Sequence, residues 1–239
     1  MSARILTDQE IFFDGYEITS ITNSVALEYG AETRDVTAYG DDTRTMTGGL
    51  KTCSMQAQGY MDDAATSGIF FSKVGASGLV FSVAAEDAAE GDAGYFTRLL
   101  GANFNPGAAV GDVYAFNISG SGDEALVRGT LMAKGSKNST GNGTGRQLGA
   151  VSSTQNLHAA LHIISASGTT PTLDVTIESD ATNTFGGGET TEITFDQASA
   201  IGAQYKTAAG AITNTYYRVT WTLGGSSPVF NIVVLVGII

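Results

Sequence analysis

The sequence predicts an all-β protein, and three observations support this class. Apolar and polar residues alternate with a period of two over many segments, for example residues 25–29 and 217–223, as expected for strands with one buried face. Clusters of glycine and serine separate these segments, and the 239 residues include 31 glycines but only 3 prolines. Helical periodicity is scarce. Regularly spaced strands with such turns are typical of a β-sandwich or a β-barrel.

The most informative strand pair lies near the N-terminus. A short strand ends at residues 35–37 and continues into a polar, charged loop at residues 39–47. Gly48 and Gly49 are expected to break the chain before a long alternating strand at residues 50–61. One face of this strand is neutral and polar, and the opposite face is small or apolar. The polar face comprises Thr52, Ser54, Gln56 and Gln58, and the apolar face comprises Cys53, Met55, Ala57 and Gly59.

Helix is predicted in few places. The best candidate covers residues 62–74, with an aspartate as its N-cap and an apolar stripe that includes Phe70 and Val74. Residues 92–100 could form a second helix or a strand, and residues 197–204 could form a helical turn.

A compositional break suggests how the chain is divided. Residues 135–147 contain no large apolar side chain and are rich in glycine, serine and asparagine, so they are predicted to form a linker or long loop. This would separate a β domain at residues 1–134 from a second β domain, or the other half of one domain, at residues 148–239. The apolar residues 229–239 are predicted to form a buried strand after a turn at residues 224–228.

Charge and cysteine content narrow the function classes. The chain has 24 acidic and 12 basic residues, a formal net charge of −12, and no run of five basic residues. Specific binding to a phosphate backbone is therefore not expected, since it requires clustered cations. Cys53 is the only cysteine, so no intrachain disulfide can form, and it is predicted to be a buried core thiol. The first residues show no apolar signal core, so secretion is not expected, and the apolar residues 229–239 are too few for a membrane-spanning helix.

No pattern of a catalytic, metal or cofactor site emerges. His158 and His162 are spaced i, i+4, but the metalloprotease pattern needs a glutamate after the first histidine, and Ala159 stands there. The surrounding alternation predicts a strand, where the two side chains are too far apart for one metal, so they are interpreted as surface or interface histidines. Carboxylates such as Asp41 and Asp42 lie in a predicted loop, a poor place for acid–base catalysis. The chain is expected to be neither an enzyme nor a cofactor-binding protein.

Two segments of the first half resemble the tail tube, or major tail, proteins of long-tailed bacteriophages. They are Asp35-Val36-Thr37-Ala38-Tyr39-Gly40-Asp41 and Gly49-Leu50-Lys51, the latter continuing to Gly59-Tyr60-Met61-Asp62. The resemblance covers residues 15–134. It implies a subunit of two packed β-sheets with a flanking helix, whose inner sheets join between subunits into a continuous barrel. Rings of six tube domains would stack into a tube through which DNA leaves the capsid.

The resemblance also implies roles for individual residues. The polar face of the strand at residues 50–61, formed by Thr52, Ser54, Gln56 and Gln58, is expected to line the lumen. The loop residues Tyr39, Gly40, Asp41, Asp42, Thr43 and Arg44 are expected to contact the next ring. The implied partners are other copies of the chain and the tail terminator, tape measure and distal tail proteins. DNA would pass without specific binding, in a virion assembled in the host cytoplasm and without a membrane.

The length leaves alternatives open. A chain of this size fits either two fused tube domains, which form trimers with pseudo-sixfold symmetry, or one tube domain with an outward decoration. A different class of function is a capsid or tail decoration β-sandwich that binds other virion proteins or host glycans. A third is a carbohydrate-active enzyme on a jelly roll.

Overall fold

The computed structural model describes residues 9–61, 64–84 and 88–239, and within these ranges nearly all regular structure is β-strand. The predicted all-β class is therefore confirmed. In chain order the elements are β1 (Glu10–Phe13), β2 (Tyr16–Glu17), a 3-10 helix (Thr19–Ile21), β3 (Thr22–Asp35), β4 (Met46–Tyr60), α1 (Ala64–Ser72), β5 (Leu79–Ala84), β6 (Ala93–Gly107), β7 (Ala115–Gly122), β8 (Val127–Lys137), β9 (Gly141–Asn142), β10 (Arg146–Gln147), β11 (Asn156–Asp180), β12 (Thr190–Thr194), β13 (Gly202–Ala209) and β14 (Tyr216–Ile238).

The chain forms two compact units built from interleaved segments. Unit 1 contains the described residues up to Ser20, then Leu79–Thr97 and Val127–Ile239, whereas unit 2 contains Ile21–Gly78 and Arg98–Leu126. This division differs from the predicted halves at residues 1–134 and 148–239, because the chain enters and leaves unit 2 twice. The roles suggested for those halves stay predictions.

The segment predicted as a linker, residues 135–147, is partly ordered into strands of unit 1. It contains the end of β8, and the short strands β9 and β10 both pair with β14. Its small side chains lie close to Trp221, whose Nε1 donates a 2.9 Å hydrogen bond to the Ser139 carbonyl. Small residues here leave room for the indole ring. The same small residues give the segment the composition of a flexible linker.

Two long antiparallel strands organise unit 1. β11 has 25 residues and β14 has 23, and they pair along almost their whole length. β12 and β13 pair with β11, while β8 pairs with β14. The larger core cluster of this unit contains alternating side chains of both long strands together with residues of β8 and β12. Burial of this alternating set explains the period-two pattern of the second half of the sequence.

The turn predicted at residues 224–228 is instead a bend inside β14. Gly225 and Ser227 have positive φ angles, and β11 carries matching irregularities with positive φ at Gly168 and Thr170. The two strands therefore bend together and remain paired, with register shifts at the bend. Residues 224–228 are of turn-forming types. Because β11 is irregular at the matching positions, these residues form a bulge in a continuous strand pair instead of reversing the chain.

Both histidines lie on one face of β11 and are buried, which corrects the interpretation as surface or interface residues. His158 Nδ1 lies 2.8 Å from the Tyr205 hydroxyl. His162 Nδ1 accepts a 3.3 Å hydrogen bond from the Gly15 N–H, and its Nε2 lies 2.8 Å from Ser82 Oγ. Because the Gly15 N–H can only donate, the His162 proton resides on Nε2. Burial lowers the pKa of His162 to about 3, so this side chain is neutral in the folded protein at ordinary pH.

The helix predictions are confirmed in part. α1 lies inside the predicted range of residues 62–74, although the two aspartates proposed as its N-cap fall outside the described residues. Phe70 is buried as expected, but Val74 lies beyond the end of the helix and is exposed. Residues 92–100 belong mostly to β6, and residues 197–204 contain no helix.

Candidate functional site

Four strands of unit 2 place the predicted lumen-facing residues in the middle of a sheet. β4 pairs with β3 on one side and with β7 on the other, and β7 pairs in turn with the second half of β6. Burial along β4 follows the predicted alternation. Cys53, Met55, Ala57 and Gly59 are buried, whereas Thr52, Gln56 and Gln58 are exposed and Ser54 is partly exposed.

The neighbouring strands extend this polar surface across the sheet. Residues directly opposite each other in antiparallel strands project from the same face. Gln58 lies between Ser24 and Asn117, and Asn117 lies opposite Asn105. The next two rows are mostly polar but also contain Ala26, opposite Gln56, and Leu100, opposite Ser121. We call the resulting surface the polar face, formed by Ser24, Glu28, Thr52, Ser54, Gln56, Gln58, Asn103, Asn105, Asn117, Ser119 and Ser121.

The polar face is almost free of charge. In the rows of this face, which cross β4 at Thr52, Ser54, Gln56 and Gln58, Glu28 is the one ionisable side chain among the paired residues. Ser54 Oγ donates to Glu28 Oε2 at 3.3 Å, and Asn103 Nδ2 donates to Ser119 Oγ at the same distance. A shallow, open pocket on this face lies between Ser54 and Ser119. Such a surface is wetted by water and has no cation that would hold a phosphate.

The opposite face of the same sheet forms the core of unit 2. Phe70 of α1 packs on this face, with ring centroids 4.9 Å from Phe116 and 5.8 Å from Phe104. Met55 and Ile118 are buried nearby in the strand ladder. Burial of one face fixes the register of β4, because a shift by one residue would expose the apolar set.

Gly59 marks the place where the core leaves no room for a side chain. A Cβ atom at this position would lie 1.8 Å from the carbonyl oxygen of Ile21 and 2.9 Å from a ring carbon of Phe116. We expect Gly59→Ala to lower the free energy of unfolding by about 3 kcal/mol or more, the upper range for overpacking, because the closest atom belongs to the backbone.

Gly48 provides the matched control on the same strand. A Cβ atom there meets nothing within 4 Å, so Gly48→Ala should change stability by about 0.5 kcal/mol or less. Urea unfolding followed by circular dichroism compares the two variants. Equal stability of the two would contradict the described packing of β4 against the 3-10 helix.

β3 and β4 extend beyond the core of unit 2 as a solvent-exposed hairpin. Every residue from 28 to 52 is exposed, and we call this segment the arm. β4 begins at Met46, so Gly48 and Gly49 lie within the strand instead of breaking it. The register shifts between Ala31 and Thr33 opposite these glycines. The sequence predicts a break at Gly48 and Gly49, because consecutive glycines are typical of turns. Glycine inside a strand can also mark a bulge.

Hydrogen bonds within the arm order its tip, residues 36–45. The N–H and hydroxyl of Thr37 both donate to Asp35 Oδ1, and the Thr37 hydroxyl accepts from the Thr45 N–H at 3.0 Å. The hydrogen bonds from Thr37 hold the pKa of Asp35 below its usual range. The Ala38 N–H donates to Asp41 Oδ2 at 2.9 Å. These bonds leave Tyr39, Asp42 and Arg44 projecting from a shaped loop.

Exposed apolar side chains concentrate in unit 2. Of the fourteen large hydrophobic side chains that are exposed in the described part of the chain, all but Ile201 and Ile239 belong to this unit. They include Tyr39 and Met46 of the arm and three residues of the loop that joins β6 to β7. Such a concentration is typical of a surface that contacts other protein.

Sequence reasoning found the β4 residues of the polar face and missed those of β3, β6 and β7. The available signal was the run of small polar residues at alternate positions in β7, which includes Asn117, Ser119 and Ser121. The described residues hold no group of three or more histidine, cysteine or acidic side chains that could bind a metal. Within the same ranges, no helix is both long and apolar enough to cross a membrane.

Comparison with known proteins finds distant structural similarities. No protein-family model and no curated protein matches the chain. A chain from the virion of a native gene transfer agent particle is 19% identical with a TM-score of 0.41, and the match covers 53% of this chain and 98% of that one. The crystal structure of SPP1 Dit, described as a paradigm of hub adsorption apparatus in phages that infect Gram-positive hosts, is 9% identical with a TM-score of 0.39, covering 98% and 100%.

A third structure is the sheath–tube complex of the extracellular contractile injection system PVC, at 10% identity and a TM-score of 0.38, with 51% of this chain and 87% of that chain covered. These three structures come from a gene transfer agent particle, a phage hub and a contractile injection system. With TM-scores below 0.5, they describe a likeness and do not assign the chain to a family.

Proposed function

We propose that this chain is a structural protein of a phage virion that forms the tail tube, with stacked rings of its copies enclosing a channel for DNA. The observation that carries this proposal is the polar face of unit 2. It spans four strands, presents hydroxyl and amide groups, and has one carboxylate in its central rows. A channel for DNA needs a wetted surface that offers no cations to the phosphate backbone, and this face meets that need.

Ring formation would be driven by the edge of the same sheet. Among the strand pairings of the described residues, β3 pairs with β4 alone, so beyond Thr22 its outer edge presents backbone N–H and C=O groups that no other strand pairs. An exposed strand edge of this kind is a template for pairing with another chain. Pairing with a second copy would satisfy these groups and continue the polar face around a ring.

The arm would make the contact between rings. Its tip carries Tyr39, Asp42 and Arg44, together with Gly40, Asp41 and Thr43, on a loop that the Asp35–Thr37 hydrogen bonds hold in shape. The implied partners are other copies of the chain and, at the ends of the tube, the tail terminator, tape measure and distal tail proteins. DNA would pass through without specific binding, and the protein would reside in the virion tail.

Negative-stain microscopy and sedimentation velocity of the purified protein test this proposal. We expect hollow tubes above a threshold concentration, with the polar face inside. Deleting Gly40–Thr45 as a matched variant should keep the β-type circular dichroism spectrum and remove the tubes. Rings that never stack would indicate a hub instead of a tube, and monomers at all concentrations would contradict the proposal. Normal tubes from the deletion variant would exclude the arm tip as the contact between rings.

A further inference from the structure

The sheet of unit 2 carries exposed loops at its two opposite ends. The arm tip lies where β3 ends and β4 begins, as the pair Asp35 and Met46 shows. The loop of residues 108–114, which we call the distal loop, joins β6 to β7 beside the other end of β4. The Met61 N–H donates a 2.9 Å hydrogen bond to the Tyr114 carbonyl there. The 15 residues of β4 separate the two loops by about 45 Å.

Both loops present apolar side chains that no described residue covers. Tyr39 of the arm tip is 111% exposed and Val110 of the distal loop is 108% exposed relative to a fully accessible side chain. Val113 and Tyr114 add further apolar surface to the distal loop. A backbone hydrogen bond from Asp112 N–H to the Ala109 carbonyl, 3.1 Å long, closes a turn that holds Val110 outward.

The two loops offer one pair of opposite charges. Arg44 is the only cation of the arm tip, which also carries Asp41 and Asp42, and Asp112 is the only ionisable group of the distal loop apart from the Tyr114 phenol. The Arg44 side chain is 84% exposed and has a 3.8 Å contact with Asp35. An arginine held this loosely can form a closer, bidentate pair with a carboxylate of another molecule.

We propose that the distal loop is the receptor for the arm tip of the next copy of this chain, with Tyr39 against Val110 and Val113 and with Arg44 paired to Asp112. A contact between unlike surfaces at opposite ends of one subunit is heterologous, and it repeats without closing when copies are added end to end. This inference rests on the proposed tube and names the surface that the arm occupies in the adjacent ring.

A charge exchange tests the pairing. Arg44→Asp and Asp112→Arg should each raise the concentration needed for tubes by about tenfold or more, because like charges then oppose each other at every copy of the ring. The double variant restores opposite charges and should return the threshold close to that of the unmodified protein. Arg34→Asp is the control, since Arg34 lies outside the tip, paired with Glu32. All variants should have the same unfolding midpoint.

A covalent trap provides an independent measurement. Tyr39→Cys combined with Val110→Cys should give a ladder of linked chains on oxidation of assembled tubes, whereas either cysteine alone should not. Single charge variants that assemble normally would overturn the pairing. A charge-exchanged double variant that folds but is not rescued, together with a double cysteine variant that gives no ladder, would also overturn it. Absence of tubes from the unmodified protein would instead overturn the proposed function, so the two failures are distinguishable.

Discussion

Tubes assembled from Gln56→Lys/Gln58→Lys protein should retain double-stranded DNA at low salt, whereas tubes of the unmodified protein should not. Both side chains are exposed on the polar face, so lysine causes no clash with the core. Two cations per copy, repeated around each ring, would line the DNA path with positive charge. Because each phosphate contact gives log K a slope of about −0.9 against log salt, retention should be strong near 50 mM salt and lost near 500 mM.

Nuclease protection locates the retained DNA. Short DNA present during assembly should be resistant to nuclease in the lysine tubes if the polar face lines a lumen. Gln56→Asn/Gln58→Asn is the matched control, because it keeps the neutral amides and should retain no DNA. Retained DNA that nuclease digests completely would place this face on the outside of the tube. A lysine variant that cannot fold would contradict the exposure of Gln56 and Gln58.

The second large effect concerns acid stability and arises from His162. Its pKa is about 3 when folded because burial disfavours the charged ring, against 6.5 in the unfolded chain. Between these values the unfolded chain binds a proton that the folded protein does not. Stability from this residue is therefore complete above pH 6.5 and falls as the pH drops, by about 1.4 kcal/mol per pH unit. Between pH 7 and pH 4.5 the loss should reach about 2–3 kcal/mol.

His162→Gln should remove most of this dependence, since glutamine can accept from Gly15 and donate to Ser82 without binding a proton. The measurement is the free energy of unfolding in urea at several pH values, and the slope against pH is compared instead of the absolute stability. His158→Gln is the control, because burial also lowers the pKa of His158 but the ring keeps some exposure. An unchanged slope in the His162 variant would show that acid acts through other groups.

The sequence predicts local structure here better than it predicts which strands meet. The alternation of β4 is visible because one face must be buried, and the same rule identified Cys53 as a core thiol. The partners of Gln56 were not predictable, since Ser119 lies more than sixty residues further along the chain and period two carries no information about neighbours. Gly225 and Gly48 were misinterpreted as chain breaks for a related reason. Glycine signals an irregular backbone, and only the paired strand decides whether it is a turn or a bulge.

The histidines show a further limit of local pattern. His162 has the polarity of a surface residue, yet it is fully buried because Gly15 and Ser82 satisfy both ring nitrogens. These two partners lie far from β11 in the sequence, and neither forms a motif with it. A buried polar side chain is tolerated when its hydrogen bonds are complete, and that condition is a property of the folded chain.

The arm has a consequence for the time course of assembly. A two-stranded ribbon with water on both sides is marginal by itself, so the arm should exchange its amide hydrogens faster than β4 does within the core. When the first copies associate, each arm loses conformational entropy while few contacts with neighbouring copies offset that loss. Copies that add later bind at the end of a formed ring, where several contact sites are already in place. We therefore expect tube growth to begin after a lag. Added fragments of preformed tubes should shorten this lag, and a constant concentration of free subunits should remain at the end.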